Sequence, residues 1–364
     1  MVDKFVYAQP VKIYFGQGRF AALNDILKEL DVQRCVLVCD PFFADQAHKI
    51  MAQTPAVCAV FSDVEPNPQL KGIIEVTALA RRHQAQAVIG VGGGSTLDTA
   101  KFSAAIALGD SEAIDYYEGK PFPDRRLMMI AVPTTAGTGR EVTQVSVVSN
   151  GDEKKTINNP AFMPKVAIVD PEMSKSVPPK VTMCTGLDAL AHALEGYWSV
   201  NHQPICDLTA IAAVRLVLDN LEQAWRDGSN MEARTNMAYA ALLAGMSFAQ
   251  PKTAASHACS YPLSADYHLP HGEACAFTLD SIVMINADQR LEDLCHAVGL
   301  ENCAALAQRI RDLKKLAGLK SRLSELENVD LKKLVHDCAV HPLMNNNPVK
   351  MDEPVLTAMF EALK

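Results

Sequence analysis

Two groups of residues in this 364-residue chain have the types and spacing for chemistry. The first is Val91-Gly92-Gly93-Gly94-Ser95-Thr96-Leu97-Asp98-Thr99-Ala100-Lys101. Three successive glycines let the backbone approach a ligand with no Cβ in the way, and a helix opening near Ser95 would aim free N–H groups at an anion. Binding of a phosphate or pyrophosphate is the chemistry that suits, although the segment is neither GxGxxG nor a Walker loop. The plainer alternative is a tight strand-to-helix turn. The second group begins with Asp188 and His192, four residues apart in an Ala- and Leu-rich stretch, which puts both on one helix face. A carboxylate and an imidazole are half a metal site, though such a pair also occurs as a hydrogen-bonded core contact. His257 and His271 are candidates for the other half, with Pro270-His271-Gly272 placing His271 at a helix start. Three imidazoles and a carboxylate leave an exchangeable position on an Fe2+- or Zn2+-like ion, where a substrate oxygen can be bound and polarised. His48, His83, His202, His296, His336 and His341 lack such company and read as satisfied surface or core side chains, as does His268 unless its place three residues before His271 turns it toward the pocket.

Two further segments suit a nucleotide. Asp40 closes the apolar run Val36-Leu37-Val38-Cys39, where a carboxylate can accept from ribose hydroxyls and repel a 2′-phosphate, or simply cap a turn. Pro133-Thr134-Thr135-Ala136-Gly137-Thr138-Gly139-Arg140-Glu141 follows another apolar run and offers hydroxyls to phosphate and ribose oxygens.

These residues need elements to hold them. Cys35-Val-Leu-Val-Cys39, Ala87-Val-Ile-Gly-Val91, Met128-Met-Ile-Ala-Val132 and Val166-Ala-Ile-Val169 are continuously apolar and end at Asp, Gly or Pro, as strands buried on both faces of a parallel sheet do. Helical patterns such as residues 68–83 supply the crossovers. After Pro171, Ala, Leu and Met at three- and four-residue spacing predict helices, with the change falling in residues 170–181. The fold expected is an α/β dinucleotide-binding domain with a parallel sheet over residues 1–178, followed by an all-α metal-binding domain over residues 179–364.

Composition excludes other classes. With 49% hydrophobic and 21% charged residues the chain is globular, and 34 Lys plus Arg against 42 Asp plus Glu give a net charge of -8, which offers nothing to a nucleic-acid backbone. No apolar stretch approaches the ~20 residues of a membrane span, and no basic-then-apolar leader opens the sequence, so a cytoplasmic location is expected. The ten cysteines, with no CxxC pair, read as reduced thiols.

Taken together, Phe15-Gly16-Gln17-Gly18, Glu65-Pro66-Asn67-Pro68, Gly92-Gly93-Gly94-Ser95, Asp115-Tyr116, Pro133 to Gly139 and the helical metal residues closely resemble the iron-dependent (group III) alcohol dehydrogenase family over nearly the whole chain. The resemblance implies that Asp188, His192, His257 and His271 bind the metal, Fe2+ with Zn2+ or another divalent ion as alternatives. It implies an NAD(H) site lined by Asp40, Asn67, Gly94, Ser95, Thr134, Thr135, Thr138 and Lys155, to which Gly93 and Asp98 of the glycine segment are added. Two residues depart from the family pattern. Tyr261 replaces a second histidine four residues after His257 and becomes a candidate proton donor, beside water and the cofactor ribose. Arg140 replaces a serine, and its planar fork suits a sulfonate or phosphonate, unless it pairs with Glu141 or a cofactor phosphate. Tyr261-Pro262-Leu263 and Tyr197-Trp198-Ser199-Val200-Asn201 resemble the branch that reduces phosphonoacetaldehyde and sulfoacetaldehyde. The expected activity is metal-dependent hydride transfer between NAD(H) and a short-chain aldehyde, by a homodimer or larger homo-oligomer. The alternative is a lyase resembling dehydroquinate synthase, which would leave NAD unchanged over a cycle.

Overall fold

The apolar runs of the first half become strands because each lies between residues that break it and is buried on both sides. The computed structural model describes residues 4–151 and 153–364. The first half runs β1 (Lys12–Phe15), α1 (Leu23–Glu29), β2 (Cys35–Cys39), α2 (Ala44–Gln53), β3 (Val57–Phe61), α3 (Leu70–Arg82), β4 (Ala87–Gly92), α4 (Gly94–Ile106), α5 (Ala113–Tyr117), β5 (Met128–Pro133), β6 (Val145–Asn150), β7 (Glu153–Asn158) and β8 (Val166–Val169). A 6-stranded sheet has the order β1-β8-β5-β4-β2-β3 with every pair parallel, and β6 and β7 form a separate antiparallel pair.

Alternation along the strands sends their side chains into two different cores. Cys35, Leu37, Cys39, Ile89 and Val91 pack with Leu27 of α1 and Ala47 of α2. Val36, Val38 and Val88 pack on the other face with Val76 of α3 and Leu97 and Ala100 of α4. Close approach of α4 requires Gly90, where an added Cβ would lie 2.9 Å from the Ala100 Cβ. From β2 the chain runs out to β3, whereas from β4 it runs to β5 on the other side. The neighbours β2 and β4 therefore flank a topological switch point, the place where open α/β sheets bind ligands beyond the strands' C-terminal ends.

The second half is α6 (Pro179–Trp198), α7 (Pro204–Arg226), α8 (Met231–Phe248), α9 (Ala255–Ala265), α10 (His271–Ile285), α11 (Gln289–Ala297), α12 (Cys303–Leu316), α13 (Leu331–Ala339) and α14 (Glu353–Glu361). Pro179 and Pro204 sit in the first turns of α6 and α7, and Asn230, Asp288, Asn302, Asp330 and Asp352 cap later helices with their side chains. Leu187, Leu190 and Leu194 of α6 join Val214 and Leu221 of α7, Met237 of α8, Leu263 of α9 and Phe277 of α10 in one core. No helix among the described residues is long and apolar enough to cross a membrane.

The division of the chain differs from a single cut after residue 178. Residues 9–135 and 140–175 form one compact unit, and residues 176–364 form the other together with residues 4–8 and 136–139. The reason lies in two glycines. A Cβ at Gly137 would sit 2.7 Å from Thr185 of α6, and one at Gly139, where φ is +61°, would sit 2.4 Å from the Gly245 Cα of α8. Residues 136–139 therefore press backbone to backbone into the helical unit, and Thr138 belongs there while Thr134 and Thr135 belong with the sheet.

Candidate active site

Strand register lines up the nucleotide candidates of the α/β unit. Cys39 pairs with Val91 and Gly92 with Pro133, so Asp40, Gly93 and Thr134 leave the same sheet edge side by side. The Thr134 N–H donates to the Gly92 carbonyl at 3.0 Å, tying two of the loops together. Gly93 is the N-cap of α4, and no side chain caps that helix, which leaves its first N–H groups for a ligand anion. Gly92 has no room for a side chain, because an added Cβ would meet Thr96 Oγ1 at 2.4 Å. Asp40 does what the cap alternative expects: its carboxylate accepts from the Phe43 N–H at 3.2 Å and caps a short 3-10 turn, while remaining half-exposed.

Asn67, Lys155 and Asp98 all have partners within the chain. Asn67, at φ +56°, accepts from Lys154 Nζ at 2.8 Å, whereas Lys155 pairs with Glu153 at 3.2 Å and lies 4.2 Å from the Tyr117 ring. Adjacent residues of a strand face opposite ways, so the lysine beside Asn67 is Lys154 and not Lys155. Asp98 turns inward: it accepts from the Val147 N–H at 3.1 Å and pairs with Arg140 at 3.3 Å, with 4% and 11% of the two side chains exposed. Arg140 is thus ion-paired with Asp98 and nearly buried, with Glu141 in the same charged cluster. Lys101 lies in the same buried cluster and donates to the Thr143 and Val145 carbonyls at 2.8 and 3.0 Å. Burial pushes its ammonium down to about 7 and pushes the Asp98 and Glu141 carboxyls up.

In the helical unit, α6 presents Asp188, His192 and Glu195 at i, i+4 and i+7, one face of the helix. Asp188 Oδ1 lies 3.5 Å from His257 Nε2 and 3.8 Å from His271 Nε2, and Asp188 Oδ2 lies 3.8 Å from His192 Nδ1. The His192 and His257 rings are 4.4 Å apart, and His192 also stacks on Phe248 at 4.2 Å. All four residues named for the metal come together. Glu195 holds His257 from behind: Oε2 accepts from His257 Nδ1 at 2.5 Å, while Oε1 accepts from the Ser256 and His257 N–H groups at 2.6 and 3.2 Å. This fixes the proton on Nδ1 and turns the Nε2 lone pair toward Asp188. Asp188 Oδ1 and His257 Nε2 are both buried without a hydrogen-bond partner. Two such atoms facing one another, in a carboxylate and imidazole donor set, fit a divalent cation. Burial opposes the Asp188 charge, but the neighbouring His192, His271 and His257 outweigh it and hold the carboxyl far below its usual range. His271, with 40% of its side chain exposed, is the open edge of the cluster.

Cys275 stands one turn into α10, its Sγ 3.8 Å from His271 Nε2. Tyr261, one turn after His257 on α9, packs against His341 with ring centroids 4.4 Å apart. Glu195, Cys275, Lys154 and His341 are thus near the sites without having been singled out. Helical spacing could have found Glu195, seven residues after Asp188, and Cys275, four after His271. Nothing in the sequence pattern joins His341 to Tyr261.

Both halves of the chain have counterparts among known proteins. Residues 10–171 match the iron-containing alcohol dehydrogenase family, and residues 182–363 match the C-terminal part of Fe-containing alcohol dehydrogenases. Long-chain-alcohol dehydrogenase 1 of Geobacillus thermodenitrificans is 33% identical over 97% of this chain and 95% of its own. Sulfoacetaldehyde reductase of Bilophila wadsworthia is 31% identical over 98% of each chain. The solved structure of sulfoacetaldehyde reductase from Bifidobacterium kashiwanohense, in complex with NAD+, is 41% identical and superposes with a TM-score of 0.95, covering 99% of this chain and 98% of that one. With both halves matched and relatives of this identity spanning nearly its whole length, the chain belongs to the iron-containing alcohol dehydrogenase family.

Proposed function

We propose that this enzyme reversibly reduces a short-chain aldehyde ending in sulfonate or phosphonate, such as sulfoacetaldehyde or phosphonoacetaldehyde. As a family member it is an NAD-dependent alcohol dehydrogenase with iron as its family metal. The observation that carries the metal-dependent reading is the pair of facing, buried and unpartnered atoms, Asp188 Oδ1 and His257 Nε2. Asp188, His192, His257 and His271 would hold the ion, which when bound supplies a Lewis acid for the carbonyl oxygen. Glu195 keeps the proton on His257 Nδ1 and so keeps Nε2 available. The uncapped start of α4 at Gly93, Gly94 and Ser95 takes the pyrophosphate, Asp40 the adenosine ribose, and Asn67, Thr134, Thr135 and Thr138 further oxygens of the dinucleotide. Tyr261 is the candidate to deliver the proton that the product alcohol gains.

The substrate preference is argued from likeness to two sulfoacetaldehyde reductases and not from Arg140, whose guanidinium is held by Asp98. We place the enzyme in the cytoplasm, in keeping with its ten free cysteines, as a homodimer or larger homo-oligomer. The test is kcat/KM with NADH for sulfoacetaldehyde, phosphonoacetaldehyde and propanal. One charged hydrogen bond to the anion predicts a preference of about ten- to a hundredfold over propanal. Propanal as the best of the three would leave only a general aldehyde reductase.

A further inference from the structure

The donor cluster contains sulfur. Among the described residues, ligand atoms of Asp188, His257, His271 and Cys275 all lie within 4.8 Å of one another. Cys275 is wholly buried, and its Sγ lies 3.8 Å from His271 Nε2, the atom that also faces Asp188. It is set there by helix geometry, one turn after His271 on α10, so any movement of that helix carries both donors together. The thiol alone would mean little, since a buried cysteine is ordinarily a small hydrophobe. Here it is grouped with Asp188 Oδ1 and His257 Nε2, which lie in residues only 2% and 5% exposed and have no hydrogen-bond partners. Those two atoms call for a cation, and His271 Nε2 and Cys275 Sγ are the donors grouped with them.

We propose that Cys275 is a thiolate donor to the divalent ion of this site, giving this chain a mixed oxygen, nitrogen and sulfur donor set. The inference rests on the metal site proposed above. On binding, the S–H proton passes to solvent as the sulfur takes the metal, with no change of oxidation state. Thiolate is a softer ligand than carboxylate or imidazole and favours zinc, so the site should discriminate toward Zn2+ and away from Fe2+ more strongly than the same site without the sulfur.

The test is metal binding and spectroscopy on the full chain, independent of turnover. Protein loaded with Co2+ should show a near-ultraviolet thiolate-to-cobalt charge-transfer band, which Cys275→Ser and Cys275→Ala abolish while Co2+ still binds. Cys259→Ala, which removes a buried thiol two residues after His257, should keep the band. In competition, the ratio of zinc to iron affinity should fall about tenfold or more in Cys275→Ser, comparable to the loss of a metal-supporting group. Stoichiometric Co2+ without the band, or a band that persists in Cys275→Ala, overturns the thiolate assignment and leaves the metal site intact. Failure of the unaltered protein to bind Co2+, Zn2+ or Fe2+ at all overturns both.

Discussion

The two units offer candidate ligand contacts from different parts of the chain. In the α/β unit the candidate contacts are mainly backbone: the uncapped N–H groups of α4, the glycines that clear space before them, and loops tied together by Thr134 and Gly92. In the helical unit they are side chains, Asp188, His192, His257, His271 and Cys275, brought by three helices and steadied by Glu195. A backbone site fails when atoms are added, and a side-chain site fails when they are taken away.

The sharpest way to break that contrast is to truncate a donor. His257→Ala should remove bound metal and lower turnover by about a thousandfold or more, while NADH binding, followed by its fluorescence, persists. Retained metal would mean the helical site is not what holds it. Next comes Arg140→Met, which leaves the Asp98 carboxylate buried without its partner and should destabilise the α/β unit by about 3–5 kcal/mol in urea unfolding. An unchanged unfolding midpoint, with loss of activity confined to anionic aldehydes, would instead return Arg140 to the substrate. Glu195→Gln should weaken metal affinity about 10- to 100-fold with the fold preserved, as measured by competition with a chelator. Gly92→Ala tests the opposite kind of site. Its Cβ must displace Thr96, at a cost of about 1–3 kcal/mol, and NADH affinity should drop while metal content stays at the wild-type level.

The smallest effect concerns pH. In the unfolded chain Lys101 titrates near 10.5 and in the folded chain burial brings it to about 7. Between those values the unfolded state holds the extra proton, so this residue's contribution to stability rises with pH across that window. The melting-temperature difference between wild type and Lys101→Met should therefore shift in favour of wild type from pH 7 to pH 9. A flat difference would show that the folded and unfolded states titrate alike.

Much of this was legible in the sequence because the relevant physics is local. A strand buried on both faces has to be a continuous apolar run, as at residues 35–39 and 87–92, and a helix face repeats at three and four residues, as from Asp188 to His192. What escaped depends on distant parts of the chain. Arg140 meets Asp98 across 42 residues of sequence, and no rule of spacing could prefer that partner over Glu141 next door. Tyr261 and His341 meet because α9 and the segment after α13 are neighbours in the helical core. The choice between Lys154 and Lys155 turned on the phase of one strand, which adjacent identical residues cannot reveal.

The excursion at residues 136–139 limits how this chain can be recombined. Replacing the helical half with a relative's at a single junction near residue 175 would bring in a foreign helical unit but keep this chain's own residues 136–139. Gly137 and Gly139 tolerate only what Thr185 and Gly245 leave open, so the insert and the helical unit have to be inherited as a matched set. Viable hybrids should need junctions on both sides of residues 136–139 as well, which makes the two units poor candidates for independent shuffling even though each has its own core.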